Sequence, residues 1–320
     1  MKGDSFYDNF LQIISDKYPR KADLSNRLLD ILPISKEALY RRLRGEVPFS
    51  FQEIGLISGK LGISLDSIVG ITSTKSRPFH LKLTNYAQPE RTDYVMIEEF
   101  LTILNEIKKD PDSEMGIATK IFPDALHLKF EYLTRFYLFK WLCQFDNKKK
   151  TILYSDVTQT GRILELLEEK RRAYGHFKKT DYIFDKMIFQ NFVDDINYFA
   201  DVNIISTDDL KLLKKDLLHF VGYLEEIAYK GENEFGNKIN IYISNINFET
   251  GFSYIYSEKY KLSLIRSFTL YDIISLDELT MENTKKWTYS LLRSSTQISE
   301  SGEIQRRNFF NEQRKIIDAI

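Results

Sequence analysis

Between Leu24 and Gly62 the chain carries its own helix starts and stops, and this punctuation constrains the fold more than any other feature. Leu24, Leu28 and Leu29 recur at helical spacing and mark a first amphipathic helix. Pro33 halts it, because proline lacks a backbone donor and disfavours helix in the residue before it. Ser35 is placed to cap the next helix, its side-chain oxygen accepting an otherwise orphaned amide. That helix is predicted from Lys36 to about Arg44, stopping at Gly45, a residue suited to the left-handed turn beyond a helix end. Ala38, Leu39 and Leu43 form its buried side; Lys36, Glu37, Tyr40, Arg41 and Arg44 lie along one exposed stripe. Ser50-Phe-Gln-Glu53 has the form of a capping box, with Phe51, Ile54, Ile57 and Leu61 as the buried side of a further helix ended by Gly62. Ser64 caps a last short helix, with Leu65, Ile68 and Val69 facing inward.

Charge concentrates in the same place. The whole chain has a net charge of −1, yet Lys17, Arg20, Lys21, Arg27, Lys36, Arg41, Arg42 and Arg44 outnumber Asp23, Asp30 and Glu37 in one window. Arginine forks match guanine edges or phosphate oxygens, so this stripe suits a helix that enters a DNA major groove. The candidate DNA-contacting residues are Ser35, Lys36, Glu37, Tyr40, Arg41 and Arg44.

Three runs carry a resemblance: Ile34-Ser-Lys-Glu-Ala-Leu-Tyr-Arg-Arg-Leu-Arg-Gly45, Pro48-Phe-Ser-Phe-Gln-Glu-Ile-Gly-Leu-Ile57 and Leu61-Gly-Ile-Ser-Leu-Asp-Ser-Ile-Val69. Together they resemble the lambda-repressor-like (Xre-type) helix-turn-helix domain, in particular its BetR-like variant with a Tyr-Arg-Arg-Leu-x-Gly core. The resemblance implies a five-helix amino-terminal domain and a homodimer on double-stranded DNA, one recognition helix per half-site. One departure is the stretch from Leu29 to Ile34, longer than the usual turn of about three to four residues. The alternative is a protein-interaction module that keeps the fold, with its arginines as a solvated face.

The expected organisation is a helix-turn-helix domain over 1–71, a linker over 72–92 and an effector-binding or oligomerisation domain over 93–320. All seven prolines precede residue 124, and Thr72–Asp93 is rich in polar residues around Pro78 and Pro89. Beyond it, helical periodicity dominates: Ile97 to Leu104, an aromatic helix between Phe122 and Phe145, Ile163 to Leu167, and Leu210 to Ala228. Lys238–Ser244, Phe252–Ser257 and Lys261–Leu270 alternate or read as strands, with turns at Glu249–Gly251 and Glu258–Tyr260. Two helices are expected to close the chain, at about Leu276–Leu292 and Glu303–Ile317. The expected fold class is therefore mainly α, with an α+β larger domain that is mostly helical and holds a small antiparallel β-meander near 238–270.

Several classes are set aside. No long uncharged apolar run suits a membrane span, and the start, MKGDSFYDNF, does not suit a signal peptide. A single cysteine, Cys143, fits a reducing compartment, so a cytoplasmic location is expected. His80, His127, His176 and His219 are scattered without metal-ligand spacing, and no nucleophile elbow, P-loop or dinucleotide fingerprint is present. No catalytic residue, metal or cofactor is expected, and the chain is read as a non-enzyme. The aromatic helix reads as core, as the lining of a small-molecule effector pocket, or as a dimer seam. The polar loop ending at Gly302 opens a basic helix, which makes Ser299, Ser301, Arg306 and Arg307 a candidate ligand or anion site.

Overall fold

Ser35 accepts a hydrogen bond from the Ala38 amide at 3.2 Å, and Ser50 and Glu53 close a reciprocal capping box, so both helix starts form by local chemistry. The computed structural model describes residues 6–63, 65, 84–86, 88–145, 152–158 and 161–320. The chain divides into two units, Met1–Leu81 and Lys82–Ile320.

The first unit contains α1 (Phe6–Lys17), α2 (Lys21–Ile31), α3 (Lys36–Leu43) and α4 (Phe51–Leu61). Phe10, Ile14, Leu24, Leu28, Leu39, Phe49, Ile57 and Leu61 belong to one buried cluster. Gly62 ends α4 in the left-handed region at φ 63°. Phe51 departs from its expected buried place, being 87% exposed. It occupies the first turn of α4, one turn before Ile54, while Phe49 takes the core seat with its ring 6.3 Å from Phe10. The last predicted helix, Ser64 to Val69, falls almost wholly outside the described residues, as does most of the expected linker.

The second unit corrects the expected fold class. It is built on a seven-stranded mixed sheet in the order β6-β5-β4-β1-β2-β3-β7, not on a small meander within a mainly α domain. The strands are β1 (Glu114–Thr119), β2 (Lys179–Asp185), β3 (Lys238–Ser244), β4 (Phe252–Tyr256), β5 (Lys261–Phe268), β6 (Tyr271–Ser275) and β7 (Ser295–Gln297). β3 does not pair with β4. It runs parallel to β2, from Lys179↔Lys238 to Asp185↔Ser244, while β4 crosses to lie antiparallel to β1. The true meander is β4-β5-β6. The parallel pairs require helical crossovers, which explains why long helical segments separate β1, β2 and β3.

The first crossover holds α6 (Asp124–His127), α7 (Glu131–Phe145), a 3-10 turn at Tyr154–Asp156 and α8 (Gly161–Gly175). The second holds α9 (Ile188–Asp201) and α10 (Thr207–Lys230). α5 (Arg91–Ile107) precedes the sheet, α11 (Glu278–Leu292) follows β6, and α12 (Glu303–Ile317) follows β7. The aromatic segment from Phe122 is thus two helices, and most of its rings are core, with Phe145 exposed: Phe122 lies 4.8, 4.8 and 4.6 Å from Phe189, Phe192 and Phe220. Tyr182, Phe184, Ile239 and Ile241 bring β2 and β3 into that same cluster. Ala118 and Ile183 pack with Leu291 of α11 and with Phe248, forming a separate cluster. Among the described residues no helix is long and apolar enough to cross a membrane.

Candidate functional site

In the first unit, α2 continues to Ile31, so four residues, Leu32–Ser35, separate it from α3. A longer first helix therefore absorbs the extra chain length before the turn. Leu39 is fully buried, and this pins α3 by one face. Ser35 is spent as the helix cap, whereas Lys36, Glu37 and Tyr40 are exposed beyond it. Arg41 and Arg44 each keep 60% of the side chain exposed. Arg42 turns the other way, its guanidinium lying 3.0 Å from both carboxylate oxygens of Glu53.

An unforeseen residue completes this surface. Gly45, at φ 75°, folds the chain back, and the Glu46 amide donates to the Arg41 carbonyl at 3.0 Å. The Glu46 carboxylate then sits 2.6 Å from Arg44 Nε and 3.6 Å from Arg41 Nε. The hydrogen bond from Arg44 holds the Glu46 carboxyl below its ordinary pKa. The stripe presents cations that carry their own counter-ion.

The residues of the other candidate site are not gathered for a ligand. Ser299 is fully buried and accepts the Ile241 amide at 3.0 Å. Arg306 is buried and donates to the Ile298 carbonyl at 3.1 Å. Ser301 and Arg307 face solvent. Among the described residues no group of His, Cys, Asp and Glu is placed to hold a metal ion.

Sequence reasoning missed the second unit's most unusual feature, a buried ionic cluster beside a cavity. Pro123 starts α6 and places Asp124 in its first turn, 9% exposed. Asp124 Oδ2 accepts from Lys170 Nζ of α8 at 2.6 Å, and its Oδ1 lies 3.5 Å from Arg266 Nη2 of β5. Arg266 also pairs with Asp272 of β6 at 2.8 Å and donates to the Thr269 carbonyl at 3.1 Å. Burial alone would raise the Asp124 pKa, but the Lys170 and Arg266 cations outweigh it and hold the carboxyl well below the usual range. Burial works against the Lys170 cation too, and Asp124 reverses that by stabilising the charge. Asp124, Lys170 and Arg266 are therefore ionised at neutral pH.

His127, one turn along α6, is 1% exposed. Its Nδ1 lies 3.0 Å from the carbonyls of both Phe122 and Pro123, so Nδ1 carries the proton and donates. Burial pushes the His127 pKa down to about 4, which makes the ring neutral at pH 7 and leaves Nε2 with a bare lone pair. That Nε2 has no hydrogen-bond partner among the described residues, and neither has Asp124 Oδ1.

A cavity of about 50 Å³ opens between β1, β4, β5 and α8, with Asp124, Arg266 and Asp272 in its wall. A smaller one of about 10 Å³ lies on the other side of Asp124 and reaches His127 and Tyr137. In the sequence Lys170 is one of three consecutive cations, Lys170–Arg172, with nothing to mark it for burial. No spacing links positions 124, 170, 266 and 272.

Comparisons of the chain with protein-family models, curated proteins and solved structures found no match.

Proposed function

We propose that the chain is a non-enzymatic, sequence-specific DNA-binding transcriptional regulator of the cytoplasm, acting as a homodimer and reading double-stranded DNA with α3. The carrying observation is the division of labour along α3. Leu39 and Arg42 hold the helix, while Lys36, Tyr40, Arg41 and Arg44 stand free of the core. Early positions of such a helix meet base edges and later cations meet phosphates. A phosphate oxygen arriving at Arg44 takes the place now filled by Glu46, a charge-for-charge exchange. The larger unit is the candidate effector and oligomerisation part, and the reading requires no metal or cofactor.

The test is fluorescence anisotropy of labelled upstream DNA, or of a randomised pool, at several salt concentrations. Affinity that falls steeply with salt, and is lost in an Arg41→Ala/Arg44→Ala double variant, supports the reading. Affinity unchanged in the variant sinks it. The Glu46 pairing favours a second reading, a protein-interaction module whose arginines are already neutralised. That reading requires no DNA affinity at any salt concentration and a partner whose capture is insensitive to Arg41 and Arg44.

A further inference from the structure

We propose that the cavity beside Asp124 and Arg266 binds a small zwitterion with a short apolar side chain, with the charge pattern of a free aliphatic amino acid. The claim goes beyond the DNA-binding reading and stands without it.

The cavity has a structural cause. Ile117 of β1, Ser253 of β4 and Leu264 of β5 are direct cross-strand neighbours, so their side chains share one face. In the next row Met115, Ile255 and Leu262 fill that face with buried apolar groups. Ser253 is the short side chain between two long ones, and the space opens over it. One wall is therefore apolar, with Met115, Ile117 and Leu264; the other is ionic, with Asp124, Arg266 and Asp272.

The ionic wall is incomplete on its acceptor side. Asp124 Oδ1 is a buried acceptor without a hydrogen-bond donor. Arg266 Nη2 faces that oxygen from 3.5 Å, beyond a good charge-assisted hydrogen bond. Unmet groups at such depth are costly, and a ligand that meets them binds through them. The Asp124, Asp272, Lys170 and Arg266 charges already cancel. A simple anion would add net negative charge and leave Asp124 Oδ1 unmet, while a simple amine would add net positive charge. An ammonium directed at Asp124 with a carboxylate directed at Arg266 meets the free oxygen and keeps the site neutral. The volume, about 50 Å³, holds several groups of water size, where one water needs about 10–15 Å³. That suits a short side chain and excludes a nucleotide.

The experiment is isothermal titration calorimetry and thermal unfolding of the full chain with glycine, alanine, valine and leucine. The matching amine-only and carboxylate-only compounds follow, isobutylamine and isovalerate in the case of valine. Saturable binding of at least one amino acid is expected, with both of its truncated analogues at least about tenfold weaker. Ser253→Leu fills the cavity from its apolar side without touching the ion pairs, and is expected to abolish binding while the protein still unfolds cooperatively. If that variant does not fold, Ser253→Val adds less bulk and takes its place. The proposal is overturned if none of the amino acids binds, if a truncated analogue binds as tightly, or if a folded Ser253 variant retains full affinity.

Discussion

Arg42 and Glu53 join α3 to α4 through two contacts of 3.0 Å, and Glu53 also accepts the Ser50 amide at 2.7 Å. One carboxylate thus closes the cap of α4 and fixes the arginine that faces away from the exposed stripe. Truncating Arg42 leaves this carboxylate, whose side chain is 13% exposed, without its cation. Arg42→Ala should destabilise the first unit by about 2 kcal/mol. Arg44→Ala should leave its stability nearly unchanged. Hydrogen exchange over residues 6–63 distinguishes the two, since protection should fall only in the Arg42 variant.

Glu46 competes with DNA for the two arginines under the proposed function. Removing its charge should tighten DNA binding by roughly two- to fivefold, the scale of an exposed ion pair. Glu46→Gln measured by anisotropy beside the unaltered protein gives the answer. A weaker complex in that variant would mean that the pair orders the arginines for binding instead of masking them.

His127 makes stability depend on pH in a defined window. Its folded pKa is about 4 against an ordinary 6.5, because burial disfavours the imidazolium. The unfolded chain takes up a proton as pH falls through 6.5, and the folded chain does so only near 4. The contribution is therefore complete above pH 6.5 and declines between 6.5 and 4, by about 3 kcal/mol. Asp124, also held low, loses its contribution below that window. Denaturant melts from pH 7 to 4.5 should show this slope, and His127→Phe should flatten it while lowering stability at pH 7.

Gly302 has a backbone reason to be glycine. It sits at φ 79°, and an added Cβ would meet the Gln297 carbonyl oxygen at 2.7 Å. The backbone fixes where a Cβ sits and the oxygen belongs to the main chain, so no side-chain rotation relieves the contact. Gly302→Ala should cost about 2 kcal/mol or more and lower the thermal midpoint. An unchanged midpoint would show that the turn before α12 is freer than this geometry allows.

The readable parts of the sequence share a property: their causes are local. Ser35, Ser50, Glu53 and Gly62 act on amides and carbonyls within a few residues, so the starts of α3 and α4 and the end of α4 follow from the chain itself. The same holds for β3, β4 and β5, where alternation marks strands wherever they pair. Periodicity cannot say where a buried stripe begins, and Phe51, at the first position of α4, lies outside it and is exposed.

β1 and β2 were not legible. β2 buries Thr180, Asp181 and Asp185 beside Tyr182, Ile183 and Phe184, so polar and apolar residues do not segregate along it. Asp181 tolerates burial because Lys179 Nζ lies 3.0 Å away and Asn240 Nδ2 of β3, 59 residues along the chain, donates to it at 2.6 Å. Arg306 illustrates the converse. It looks like an anion ligand in the sequence, yet the fold turns it onto the Ile298 carbonyl.

By itself, then, the sequence determined the capped helices of the first unit, the exposed side of α3 and the existence of three of the seven strands. Tertiary structure alone decided that β3 joins β2 and β4 joins β1, and thereby that Ser253 opens a cavity beside Asp124 and Arg266. Capping is a choice between neighbouring groups on one stretch of chain. Strand partnership and buried ion pairing are choices among all groups the folded chain brings together, and no short spacing records them.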